Sequence, residues 1–158
     1  MRSDPAAPLR VPFFLHTHLN LFVRFFLLMY TDFVTKDEAH DHWQEGAERA
    51  LVAAEHLTAS EDYEMALYSC QLAVEKALKA HYIILKNREP PKSHNLELLC
   101  KEVGKEIGEA DRLDLRELSS FAAFARYGDE TWLDAEATKE NTSHWLERTS
   151  YFLSMFLS

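Results

Sequence analysis

From Asp37 onward, apolar residues recur at three- and four-residue steps, the period that lays one apolar stripe along an α-helix. Trp43, Ala47, Ala50, Leu51, Ala54 and Leu57 make the first stripe, with Glu45, Glu48, Arg49 and Glu55 elsewhere around the same helix. Thr58-Ala59-Ser60 ends it. Ser60 is placed to cap the next helix, and Glu61 and Asp62 suit the positive end of its dipole. The second stripe is the longest: Tyr63, Ala66, Leu67, Cys70, Ala73, Val74, Ala77, Leu78, Ile84 and Leu85, broken between Asn87 and Lys92 by Pro90-Pro91. Ser93 is placed to cap a third helix with Leu96, Leu99, Cys100, Val103 and Ile107, which fades at Gly104 and Gly108. A fourth carries Leu113, Leu115, Leu118, Phe121, Ala122 and Ala125 and stops at Tyr127-Gly128-Asp129-Glu130. The last, from about Asp134 to Phe156, aligns Ala137, Thr138, Asn141, Trp145, Thr149, Phe152 and Phe156.

Successive amphipathic helices on short connections pack as antiparallel neighbours, so the expected fold is all-α: an antiparallel up-and-down bundle of four to five helices over residues 35–158. Glycine and proline counts exclude the β alternative. Four Gly and five Pro cannot supply the frequent turns of an all-β chain, and three of the prolines lie in the first twelve residues. Cys70 and Cys100 are too few for a disulfide framework and lack metal-ligand spacing, which points to a reducing, cytoplasmic setting.

Residues 1–34 have a different character. Phe13, Phe14, Phe22, Phe25, Phe26 and Phe33 crowd into this stretch, and residues 1–30 carry +2 while the whole chain carries −9, leaving −11 for the rest. His16, His18, Asn20 and Arg24 interrupt the apolar run, and an arginine near mid-bilayer costs roughly 2.5–3.5 kcal/mol. A signal peptide would end in small residues, whereas Met-Tyr-Thr-Asp-Phe follows here. The segment is therefore an N-terminal extension, either an extra apolar helix or upstream sequence ahead of a start at Met29. A membrane anchor ranks third, and the expectation is no membrane association.

Charge singles out one place in the acidic body. Residues 75–92 hold Lys76, Lys79, Lys86, Arg88 and Lys92 against Glu75 and Glu89, a local +3. Converging cations of this kind hold phosphate groups of a nucleotide or RNA. Structure alone offers a plainer account: a solvated helix face with Glu75 and Lys79 as an i,i+4 pair. Arg126-Tyr127-Gly128-Asp129 divides in the same way, since arginine suits a helix C-terminus and glycine the turn beyond it, while the guanidinium could also fork a phosphate. The eight histidines give no metal signature: His16/His18 and His40/His42 are two apart rather than four, and His81 and His94 stand alone. No metal or cofactor is expected. No nucleophile elbow, Walker loop or dinucleotide fingerprint is present.

The order of these features resembles the HEPN domain family. The resemblance rests on Trp43 in an alanine-rich first helix, then Asp62-Tyr63-Glu64-Met65-Ala66, then Gln71-Leu72-Ala73-Val74-Glu75-Lys76-Ala77-Leu78-Lys79-Ala80. Ser93-His94-Asn95-Leu96 and Ala125-Arg126-Tyr127-Gly128-Asp129 follow in place. The match spans about residues 38–156. It implies a helical bundle that forms homodimers and pairs with a minimal nucleotidyltransferase in toxin–antitoxin-like systems. Many such proteins are metal-independent ribonucleases whose motif is an arginine, four to six residues, then a histidine. In them the histidine moves the proton of a ribose 2′-hydroxyl while the arginine steadies the phosphate.

This chain departs from that motif. Tyr127 to Leu133 follow Arg126 without a histidine, and the next is His144. The resemblance therefore implies a nucleotide- or RNA-binding module without the usual ribonuclease route, with Arg126, Tyr127, Asp129, Lys76 and Lys79 as its binding candidates. The alternatives are a metal-independent ribonuclease toxin that uses another histidine, with His94 the candidate (it follows Arg88 at a nominally permitted spacing, but across the Pro90-Pro91 loop and far from the expected position), or a purely structural bundle that docks a protein. The net charge of −11 in the body disfavours extended contact with a polyanion away from the +3 stretch.

Overall fold

A computed structural model describes residues 35–127, 131 and 135–158. The N-terminal extension over 1–34, with Met29, lies outside the described residues, as do Gly128 and Asp129. Helix α1 spans Lys36–Ala59, α2 Tyr63–Lys86, α3 Leu96–Val103, α4 Glu109–Tyr127 and α5 Lys139–Phe156. The all-α expectation holds: every described element is a helix, and none is long and apolar enough to cross a membrane.

The helix starts follow from local chemistry. Thr35 caps α1 through a reciprocal box in which its hydroxyl accepts from the Glu38 amide while the Glu38 carboxylate accepts from the Thr35 amide. Asp62, not Ser60, caps α2 by accepting from Met65 N–H; Ser60 instead closes the C-terminus of α1. Asn95, not Ser93, caps α3, and the Ser93 hydroxyl accepts from the Asn95 amide one step earlier. The last helix starts later than Asp134, at the Thr138 cap. In each case several capping side chains lie close together in sequence, and the backbone turn decides which one faces the free amides.

Helix α2 is the central element, packing against each of the other four. Its partner α1 precedes it across a three-residue turn and meets it through Ala47, Ala50 and Ala54, all buried, as are Ala66, Ala73, Ala77 and Ala80 of α2. Larger side chains fill the other side. Phe121 meets Trp145 edge to face with centroids 5.4 Å apart, and Phe152 stacks on Phe156 at 6.0 Å. Ile84, Leu85 and Leu113, expected within apolar stripes, are instead half exposed near helix ends, where the stripe has drifted out of contact. Polar pins tie the elements: Arg148 of α5 grips Asp111 and Asp114 of α4 at 2.6 Å each, and the Leu96 amide at the start of α3 donates to Ser119 Oγ on α4.

Candidate functional site

Gln71, Glu75 and Lys79 stand at i, i+4 and i+8 on α2, one above another on a single face. Neighbours on both sides of that face, Cys70, Ala73, Val74, Ala77 and Leu78, are fully buried, and this carries the three polar residues inside too. Glu75 is 4% exposed and Lys79 6%. Lys79 Nζ donates to Glu75 Oε1 at 2.7 Å, and Gln71 Nε2 donates to Oε2 at 2.8 Å. The expected i,i+4 pair is therefore present, but buried rather than on a solvated face.

Two further groups close the network from other elements. Trp43 of α1 places its ring under the ammonium, with Nζ 4.9 Å from the centroid. His94, in the connection before α3, brings Nδ1 to 3.0 Å from Glu75 Oε2. Burial alone would push the Glu75 carboxyl up; the hydrogen bonds from Lys79, His94 and Gln71 and the Lys79 charge outweigh it and hold the group below the usual carboxylate range. An ionised carboxylate only accepts, so Nδ1 of His94 is the donor and carries hydrogen. The backbone around His94 is held on both sides, by the Ser93 hydroxyl accepting from Asn95 N–H and by the Asn95 cap on Leu98 N–H. The imidazole itself is 63% exposed.

Lys76 also crosses onto α1. A Cβ on Gly46 would stand 3.1 Å from Lys76 Cδ and 3.3 Å from its Nζ, so the missing side chain at Gly46 is what lets the lysine lie along α1. The +3 stretch thus splits in two. Lys76 and Lys79 fold back against α1, whereas Lys86, Arg88 and Lys92 stand around the end of α2 and the loop that follows, the first two exposed and Lys92 in the same connection as His94. Arg88 donates to the Tyr82 hydroxyl at 2.6 Å; none of these three cations is in an ion pair among the described residues.

Of the other candidates, Tyr127 ends α4 and is 86% exposed. The side chain of Arg126 and all of Asp129 lie outside the described residues. The described residues contain no cluster of three His, Cys, Asp or Glu side chains able to hold a metal ion. What the residue pattern missed was the grouping of Gln71, Lys79 and His94 around Glu75, with Trp43 under the Lys79 ammonium. The signal was present, since polar residues spaced by four inside the longest apolar stripe are buried polar residues.

The HEPN domain family model matches residues 40–158. The crystal structure of TT1696 from Thermus thermophilus superposes with a TM-score of 0.63 at 20% identity, covering 75% of this chain and 95% of that one, a likeness of fold. No curated protein sequence matches the chain.

Proposed function

The chain belongs to the HEPN domain family, and from that premise we propose that it binds a nucleotide or RNA, as a homodimer and as the partner of a minimal nucleotidyltransferase in a toxin–antitoxin-like pair. The observation that carries the binding is electrostatic: Lys86, Arg88 and Lys92 are outside any ion pair among the described residues, at the one basic stretch of an acidic body. Lys76, which lies along α1, and Arg126, Tyr127 and Asp129, at and after the end of α4 in the sequence, are the further candidates for this ligand. Lys79, held by Glu75, acts on the ligand only through the network it anchors.

A labelled single-stranded RNA oligonucleotide titrated with the full chain tests this by fluorescence anisotropy. If about three phosphates are neutralised, log K falls against log salt with a slope of roughly −2. Replacing Lys86 and Lys92 together with Ala should weaken binding at least about fivefold and flatten that slope, and Arg126→Ala should weaken it further without unfolding the chain. Affinity unchanged by all three substitutions removes the site. Size-exclusion chromatography of the full chain, alone and after co-expression with a minimal nucleotidyltransferase, tests the dimer and the pairing together.

A further inference from the structure

We infer that residues 88–94 form a strap pinned to α2 at both ends, and that Tyr82 is the positioning residue which aims Arg88 at a phosphate; the inference rests on the ligand reading above. From Arg88 to His94 no backbone group makes a backbone hydrogen bond among the described residues. Side chains hold the segment instead, at its first and last residues. Arg88 Nε donates to the Tyr82 hydroxyl at 2.6 Å, and His94 Nδ1 stands 3.0 Å from Glu75 Oε2. Both anchors are buried on α2, Tyr82 at 2% exposure and Glu75 at 4%.

The spacing of the anchors fixes how the strap runs. Glu75 and Tyr82 stand two turns apart on one face of α2, so the strap returns along that face over about 10 Å. Its six residue steps reach roughly 20 Å when extended, so the segment bows outward between its pins. Pro90-Pro91 stiffen the bow by fixing their own φ angles, and Lys92 rides on it, exposed. At the Arg88 pin only Nε is engaged, and the guanidinium centre lies 5.5 Å from the centroid of the Tyr82 ring. The two terminal nitrogens make no hydrogen bond among the described residues, and that pair is the fork able to take two oxygens of one phosphate. Tyr82 is too deeply buried to touch a ligand; what it sets is the direction of the fork.

The test uses the full chain, with limited trypsin digestion read by mass spectrometry and anisotropy of a labelled single-stranded RNA. Tyr82→Phe removes one hydroxyl and keeps the packed ring, while His94→Ala removes the other pin. Loss of one hydrogen bond to a charged group should raise the opened fraction of the strap, and with it the rate of cutting after Lys92, about tenfold in each variant. His94→Gln, which keeps an N–H for Glu75, should restore the wild-type rate. Tyr82→Phe should also weaken RNA binding about threefold with its salt slope unchanged, because the same cations meet the phosphates with less order. Arg88→Ala, which removes a contact, should flatten that slope. Wild-type cutting in either pin variant, or RNA affinity unchanged in Tyr82→Phe, overturns the inference and leaves the binding assignment intact. A wild type that does not bind RNA overturns both.

Discussion

Replacing Lys79 with Met separates a buried ammonium from a solvated one. Met keeps most of the stem and its packing while removing the charge. At 2.7 Å and an effective dielectric near 20, the gross attraction between Lys79 and Glu75 is about 6 kcal/mol. Desolvating two ions costs several kcal/mol each, so the intact pair contributes little net stability. Breaking it is another matter, because Glu75 stays buried with only Gln71 and His94 as donors. The expected loss is about 3 kcal/mol, the lower end for a broken buried pair because those two donors remain. In a domain of this size that lowers Tm by roughly 10 °C.

The pH dependence gives the prediction a second handle. The Glu75 carboxyl is held below its usual range in the folded state, so its contribution is fully present above the unfolded value, about 4.3, and is lost as pH falls through the folded one. The stability gap between wild type and Lys79→Met is therefore widest near neutrality and narrows below about pH 4. Urea unfolding followed by circular dichroism at about 222 nm, near pH 7 and near pH 3.5, measures both. Glu75→Gln/Lys79→Met should be more stable than the sum of the two single losses predicts, since it leaves no uncompensated charge. A loss under about 0.5 kcal/mol near pH 7, or a gap that stays constant into acid, would show that the ammonium is not buried against Glu75 and refute the account.

Other consequences are independent of that network. Burial pushes the Cys70 thiol up to about 11, so iodoacetamide near pH 8 should label Cys70 only after denaturation, a result mass spectrometry can read directly. Gly46→Ala should raise stability by up to about 1 kcal/mol, because alanine is the better helix former and the atoms it would crowd belong to the flexible Lys76 side chain; a thermal melt checks it. Thr142 is fully buried and its hydroxyl has no hydrogen-bond partner among the described residues, so Thr142→Val should stabilise the bundle by about 1 kcal/mol in the same melt. Arg148→Ala leaves Asp111 and Asp114 facing each other without a cation and should cost about 1–3 kcal/mol, measured by urea unfolding.

How much of this was legible in the sequence depends on what each signal averages over. The bundle was legible because a helical stripe sums many weak choices, and Ala47, Ala50, Leu67, Val74, Leu118 and Phe152 all point the same way. Caps were not, because Ser60 and Asp62, or Ser93 and Asn95, have the same chemistry and differ only in backbone turn. The site was misjudged for a third reason. Counting charge along residues 75–92 gathers Lys76, Lys79, Lys86, Arg88 and Lys92 into one patch, but the helix directs the first two against α1 and leaves the others at its end and in the loop beyond. His94 is nineteen residues from Glu75, and only the return of the chain through the Pro90-Pro91 connection brings them together.

That return also bears on why a charged pair stands where leucine or methionine would pack. Apolar side chains at 71, 75 and 79 would bind α1 to α2 at least as firmly, since a buried ion pair is a poor source of net stability. They would not, however, distinguish one position of the 87–95 connection from another. Glu75 does: a connection displaced by a single residue takes His94 away from Oε2 and leaves the carboxylate short of a donor inside the protein. Lys79 does the same for α1, since a shift of Trp43 by one residue turns its ring away from the ammonium. The network thus trades stability for a fixed register among α1, α2 and the start of α3. A fixed register holds the 87–95 connection in one position against α2, and it explains why Gln71, Glu75 and Lys79 are buried in the middle of that helix rather than turned to solvent.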